Sequence, residues 1–381
     1  MTRASHPEEA KKILFGHAEP LGARHSSGDD MTPIDHPSAW LGSRIDFRAE
    51  GLRTLNAAEV AEIDAALAHL RRQGDLDVPA ITPATFPLPT LAAAFRALGN
   101  NLRDGRGFVL LRGLPRERYD VDDMARIYFG IGCHIGRVVP QSWHGEFLGN
   151  VVDVSDVEAE ARGYQAGGAQ RFHTDTCDIV SLMCLRGAKS GGVSRIASAA
   201  AIHNRLLETR PDLAATLYGE YVYRRMERDA SLGNNRLLKR VVIFSRETGG
   251  FTCNTSGSYP NRAVAAGDAV MTPLQIEALD EMERLAASPE FHLDMSIAEG
   301  DIQFLNNRVL LHGRTGYEDW PEIPRRRHLL RLWLYCDNWP MFPANQGVHD
   351  FDDHHGWIRQ RTPLMEFPSR YLAAMTARQA A

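Results

Sequence analysis

The stretch RRRHLLRLWLY (325–335) decides the fold. Its side chains alternate with a period of two, the repeat of a β-strand. Arg327, Leu329, Arg331, Trp333 and Tyr335 share one face, and His328, Leu330, Leu332 and Leu334 share the other. The second face is almost wholly apolar and is expected to pack into a core layer. The first carries two guanidiniums roughly 13 Å apart, at about 3.3 Å per residue. On a solvent edge these would be ordinary arginines. Trp333 and Tyr335 on the same face argue instead for a strand that looks into a barrel. There the arginines need anions, and arginine clamps a carboxylate bidentately.

Just upstream, His312 lies in NNRVLLHGRTG, after an apolar run and before a glycine. Much earlier, FHTD (172–175) puts His173 and Asp175 two residues apart. On a strand, residues i and i+2 point to one side, so this imidazole and carboxylate can converge on one ion. On a helix they would lie about 200° apart and could not chelate together. Two imidazoles and one carboxylate on one face are what a metal with open coordination positions requires. A distant strand end carrying His312 is the candidate source of the third ligand.

The rest of the chain has the texture of a mainly β protein with flanking helices. Helices are expected at 57–71, where Asn56 and Glu59 form a capping-box pattern, at 90–104, at 121–132, over 199–218 with a break at Pro211, and at 273–287 behind Thr272 and Pro273. Strands are expected at 107–115, 151–156, 172–187, 221–226, 241–246, 251–256, 291–295, 301–311 and 328–335. The glycine-punctuated GIGCHIG (130–136) reads as a turn. Helices and strands do not alternate as βαβα, so a parallel doubly wound sheet is not expected. The pattern fits a double-stranded β-helix, or jelly roll, with N-terminal and inserted helices. Residues 1–37 read as a flexible or draped arm. Residues 38–381 read as a single catalytic domain, with a helical part over about 38–135 and a barrel core over about 105–336.

Four segments taken together, FHTD (172–175), the GG-x-S segment (191–194), FLNNRVLLHGR (304–314) and RRRHLLRLWL (325–334), resemble the taurine dioxygenase-like (TauD/TfdA) family of Fe(II)- and 2-oxoglutarate-dependent oxygenases. GFVLLRGLP (107–115) matches that family's early strand, and the motifs come in the family's order. The resemblance implies that His173, Asp175 and His312 ligate Fe(II) and that Arg327 binds the distal carboxylate of 2-oxoglutarate. Ser194 falls where the family places a threonine that contacts this co-substrate. Arg325 and Arg326 are close enough in sequence to compete for the anchoring role, but the strand phase favours Arg327. Arg331 matches a position that meets an acidic group of the substrate or the metal end of 2-oxoglutarate. The implied reaction is hydroxylation of an unactivated C–H of a small anionic or amino-acid-like molecule, with O2 consumed and succinate and CO2 released. Asp175 speaks against halogenation, which needs a small residue at that position. Gln141, Trp143, His144, Gln165, Gln170 and Arg171 lie in segments where the family builds its substrate pocket, and none is assigned a contact.

Composition sets the outer bounds. In 381 residues, 44% are apolar and 24% charged, which suits a globular domain with a substantial core. A net charge of −5 gives no reason to expect nucleic acid as a partner. No apolar run approaches the length of a membrane span, so no membrane partner is expected. Five cysteines, an odd number without close pairing, suit reduced thiols in the cytoplasm. Assembly into a homo-oligomer stays open. So do two other assignments. One is a cupin-like metal-dependent dioxygenase or isomerase that makes no use of 2-oxoglutarate. The other is a non-catalytic jelly-roll binding protein.

Overall fold

The computed structural model describes residues 31–347, apart from 75, 77–79, 142–145, 157–163, 165, 226–236 and 257. Eleven strands make its two principal sheets. In chain order they are β1 (Leu52–Thr54), β2 (Phe108–Arg112), β3 (Arg137–Val139), β4 (Gly149–Val151), β5 (Gln170–His173), β6 (Ile179–Arg186), β7 (Ser194–Ser198), β8 (His292–Met295), β9 (Ile302–Asn306), β10 (Leu310–Arg314) and β11 (His328–Tyr335). The major sheet runs β1-β2-β9-β6-β11-β3, with β4 also paired to β11. The minor sheet runs β8-β7-β10-β5. All pairs are antiparallel except β1 with β2.

The longer helices are α1 (Ala57–Arg71), α2 (Leu91–Asp104), α3 (Val121–Ile135), α4 (Ala199–Thr209), α5 (Pro211–Leu217), α6 (Ser258–Ala265) and α7 (Pro273–Ala286). The expected capping box of Asn56 with Glu59 is formed, and Thr272 with Gln275 makes a second one.

The burial pattern follows from the alternation of β11. Leu330, Leu332 and Leu334 join Ile302, Phe304 and Met183 in a core shared with α1, α2 and α3. Trp333, on the other face, lies between the sheets with Val180, Leu305, Leu310 and Ile196. The far side of the minor sheet, through Phe172, Ala197 and Leu311, packs on α4, α5 and α7. The order of layers is therefore helices, major sheet, minor sheet, helices. The inner layer between the sheets belongs to the arginine-bearing face of β11, as the sequence pattern requires.

Several local expectations are corrected. GIGCHIG is helical to Ile135 rather than a turn. Gly130 and Gly132 sit inside α3 because a Cβ there would come 2.4 Å from the Phe86 ring and 2.8 Å from the Leu332 side chain. The run 301–311 is two strands, one in each sheet, and His312 lies within the second. The chain turns between them at Asn307 and Arg308, where Arg308 makes a buried ion pair with Asp178, its Nε 2.8 Å from Oδ1. Over 151–156 only Val151 belongs to a strand. The expected break at Pro211 is present, with 199–218 forming two helices and Pro211 opening the second. The helix α6 lay in no expected element.

The described part of the N-terminal arm, 31–37, is tied to the core. Ile34 exchanges hydrogen bonds with the Asn204 amide on α4, and the Pro37 carbonyl accepts from Arg106. Residues 1–30, and 348–381 at the other end, lie outside the described residues. All five cysteines are free thiols.

Candidate metal centre

His312 and His173 are register partners on the adjacent strands β10 and β5. Their ring centroids stand 4.3 Å apart, and His312 Nε2 is 3.7 Å from Asp175 Oδ2. One ligand atom from each of His173, Asp175 and His312 can be chosen so that all three lie within 4.8 Å of one another. Among the described residues, no other group of three or more His, Cys, Asp or Glu is gathered in this way.

His173 and Asp175 are held by hydrogen bonds from the chain around them, whereas His312 Nδ1 is buried without a hydrogen-bond partner. The Nδ1 of His173 is 2.9 Å from the Arg171 carbonyl. A proton donated there leaves Nε2 with a lone pair for a metal. Asn307 fixes the backbone of Asp175: its Oδ1 accepts from the Asp175 N–H at 2.9 Å, and its Nδ2 donates to the carbonyls of Asp175 and Cys177. Thr174 faces away from the trio and is bonded to Asn254 and Thr255.

On the Asp175 side chain, Trp333 Nε1 donates to Oδ2 at 2.9 Å and Arg331 Nη1 lies 3.4 Å from the same oxygen. Both donors use the oxygen that also lies nearest His312, so they fix the carboxylate against that imidazole. Arg331 is itself pinned by Gln141, which accepts from its Nε at 2.7 Å and donates to its backbone carbonyl at 2.7 Å. Burial pushes the Asp175 carboxyl up, but Arg331 and the two imidazoles outweigh it and hold the group below the ordinary carboxylate range. Burial, with the His173 ring beside it, pushes His312 down to about 3, so that ring is neutral at physiological pH. A carboxylate at Asp175 and a neutral imidazole at His312 are protonation states that bind a divalent metal.

A second cluster lies along the same inner face. Arg327 is buried, and its Nη1 has no hydrogen-bond partner. Burial, with Arg314 nearby, lowers its pKa to about 10. Arg326 instead points out to Asp156 and the Asp153 carbonyl, and Arg325 stacks on Trp320. The three neighbouring arginines thus have different surroundings, and Arg326 turns to Asp156 rather than to the apolar layer. Ser194 is buried on the inner face of β7, with the Gln303 amide against its hydroxyl at 3.1 Å.

Of the pocket-segment residues, Gln141 proves to be the residue that orients Arg331. Gln170 lies opposite Arg314 at an irregularity in the β10–β5 ladder. That irregularity turns Arg171 outward, to within 3.5 Å of Glu283 on α7. Gly313 permits it, since a Cβ there would stand 2.8 Å from the Gln170 carbonyl. Trp143, His144 and Gln165 lie outside the described residues. Asn307, Trp333 and Arg314 had no assigned role in the sequence, although all three lie in the quoted motifs. For Arg314 the signal was present: it follows His312 by two residues on a strand and so shares its face.

Comparison with known proteins agrees with this geometry. The family model described as "Taurine catabolism dioxygenase TauD, TfdA family" matches residues 46–333. The "Taurine hydroxylase-like protein SAT17" of Stachybotrys chartarum is 34% identical over 330 residues, 81% of this chain and 81% of that protein. The "FR-33289 synthase" of Streptomyces rubellomurinus is 29% identical over 327 residues, 83% of this chain and 94% of that protein. Among solved structures, an asparagine oxygenase in complex with Fe(II), 3-hydroxyasparagine and succinate superposes with a TM-score of 0.59 at 18% identity, covering 74% of this chain and 93% of that one. The non-heme iron oxygenase OrfP in complex with Fe and alpha-ketoglutaric acid gives 0.54 at 14% identity, covering 75% and 94%.

Proposed function

The chain belongs to the TauD/TfdA family and is a non-haem iron dioxygenase that uses Fe(II), 2-oxoglutarate and O2; from that premise we propose that His173, Asp175 and His312 hold the iron and that Arg327 and Ser194 hold the far carboxylate of 2-oxoglutarate. The observation that carries this is the convergence of two imidazoles and one carboxylate on the inner face of the barrel, beside a buried arginine with an unpartnered nitrogen. The donor set fits Fe(II), for which two histidines and a carboxylate on one face leave positions open. When bound, the iron with its co-substrate and O2 supplies the oxidation of an unactivated C–H bond, releasing succinate and CO2.

The chain's own residues do the positioning. The Arg171 carbonyl keeps His173 in the tautomer that offers Nε2. Trp333 and Arg331 hold the Asp175 carboxylate in place through Oδ2. Arg327 meets an incoming carboxylate with a planar pair of N–H groups in a dry layer, where such a pair is stronger than in water. The Leu305, Leu310, Ile196 and Trp333 layer excludes solvent from the reacting end.

The prime substrate is proposed to be a small anionic or amino-acid-like molecule. Arg331 supports this. Its guanidinium lies over the Tyr164 ring, 4.4 Å from the centroid, beside the metal carboxylate, where an acidic group of a substrate would be met. We read residues 38–381 as one catalytic unit. No helix among the described residues is long and apolar enough to cross a membrane, and five free thiols suit a cytoplasmic site of action.

The experiment is a succinate-release screen of amino acids, sulfonates, aryloxy acids and small natural-product precursors. The expected result is succinate formed in step with oxidation of one of these compounds. Oxidation of a substrate by the iron enzyme with no requirement for 2-oxoglutarate would favour the cupin-like alternative.

A further inference from the structure

Arg314 and Arg327 come from different strand ends, yet both guanidiniums lie against one ring. Arg314 is 4.6 Å and Arg327 5.1 Å from the centroid of Tyr317. Both arginines are more than nine-tenths buried, at 6% and 5% exposure. Nε and Nη1 of Arg314, Nη1 of Arg327 and the Tyr317 hydroxyl are all buried without a hydrogen-bond partner. The nearby carboxylate of Asp319 is spent on backbone, accepting from the N–H groups of Arg327 and Trp320.

Two buried like charges with open donors are costly unless an anion joins them. Arg314 is also the register partner of Ser194 across β10 and β7, so it stands beside the other group proposed for the co-substrate. We infer that Arg314 is a second carboxylate-binding cation of the co-substrate pocket, so that two guanidiniums and the Tyr317 hydroxyl meet the distal carboxylate of 2-oxoglutarate. The inference rests on the reading that Arg327 anchors that carboxylate. A carboxylate offers about four lone-pair sites, enough for two arginines and a hydroxyl.

The remaining nitrogen of Arg314 adds a consequence. Its Nη2 donates to the carbonyls of Ala166 at 2.7 Å and Gly168 at 2.6 Å. These residues lead into β5 and follow Tyr164, which lies over Arg331. One guanidinium thus joins the co-substrate pocket to a segment beside the metal strand. By linkage, any coupling of these contacts through the shared cation is reciprocal.

The test compares 2-oxoglutarate with pyruvate, which keeps the 2-oxo acid and lacks the distal carboxylate. Each is titrated into the anaerobic Fe(II) enzyme and followed by the charge-transfer absorption of the bound 2-oxo acid. Arg314→Gln is expected to raise the Kd for 2-oxoglutarate about ten- to hundredfold, the range for losing charged hydrogen bonds. It should leave the weaker affinity for pyruvate unchanged. Arg314→Lys, which keeps the charge and loses the fork, should fall between Gln and wild type, and it replaces Gln if Arg314→Gln does not fold. An equal loss for both ligands, or no loss, in the folded variant would make Arg314 a clamp for the 166–168 segment alone and overturn the inference. Arg327→Gln run in parallel separates the two claims. If it selectively weakens 2-oxoglutarate while Arg314→Gln does not, the anchor stands and the second cation falls. If neither variant discriminates between the ligands, the pocket itself has been misassigned.

Discussion

His312 and His173 face each other directly across the β10–β5 ladder, and this one register fixes where a metal can sit. The pairing depends on β10 lying between β5 and β7. A slip by one residue would turn either imidazole to the helix-covered side of the sheet. His173→Ala or His312→Ala is therefore expected to abolish tight Fe(II) binding while leaving the far-ultraviolet circular dichroism spectrum largely unchanged. Equilibrium dialysis under nitrogen measures it, and retention of one tightly held iron per chain in either variant would remove that residue from the ligand set.

Trp333 acts through Asp175. Trp333→Phe keeps an aromatic ring in the inner layer and deletes the N–H donated to Oδ2. Loss of such a supporting hydrogen bond typically costs about 10- to 100-fold in metal affinity. The expected outcome is weakened Fe(II) binding in that range with the thermal midpoint little changed. Unchanged affinity would mean that Arg331 alone suffices to orient the carboxylate.

Asn307 is expected to couple stability to the site. Asn307→Leu strips partners from the Asp175 N–H and from two carbonyls in a buried turn. Unfolding by urea should show a loss of at least about 3 kcal/mol, since three buried groups are orphaned at about 1–3 kcal/mol each. Iron affinity should fall as well, because the backbone that carries Asp175 is freed. A stable variant with normal iron binding would show that the turn is held by the Arg308–Asp178 pair alone.

His328 sets a pH dependence of stability. It is fully buried with Nε2 2.9 Å from the Asn150 side-chain oxygen, and burial together with Arg186, Arg116 and Arg327 holds its pKa well below the model-peptide value of 6.5. The unfolded chain takes up a proton below pH 6.5 and the folded chain does not. The stabilisation is thus complete above 6.5 and declines as pH falls below it, by at most about 1.4 kcal/mol per pH unit. His328→Gln should flatten the fall in unfolding free energy between pH 6.5 and 5.0, whatever its effect at pH 8. Identical slopes in the two proteins would mean that His328 takes up its proton in the folded state as well.

The barrel and its inward face were legible because β11 alternates strictly, with three leucines toward the helices and Arg331 and Trp333 toward the site. The His-x-Asp pair was legible as a chelating unit, but not as one strand: β5 ends at His173, Asp175 follows it outside any strand, and 172–187 divides between the two sheets. What escaped the sequence lacks a period. The run 301–311 is apolar on both sides of the Asn306–Val309 turn, so nothing in its hydropathy marks the crossing from one sheet to the other. Gly130 and Gly132 resemble turn residues, yet they serve close approach to Phe86 and Leu332. The ladder irregularity opposite Gly313 redirects Arg171, which simple alternation would have grouped with His173. Gln141 reaches Arg331 from outside any strand, and only the folded chain brings the two together.

The central claim is that the trio holds iron while Arg327 anchors 2-oxoglutarate, and one titration tests it most directly. Anaerobic Fe(II) enzyme is titrated with 2-oxoglutarate, and the charge-transfer band is followed in wild type, Arg327→Ala and Arg331→Ala. The account predicts a band in wild type, and a Kd raised by about two or more orders of magnitude in Arg327→Ala, at about 1.4 kcal/mol per decade. It predicts a smaller change in Arg331→Ala. A band that survives in Arg327→Ala at wild-type concentrations and vanishes in Arg331→Ala would contradict it.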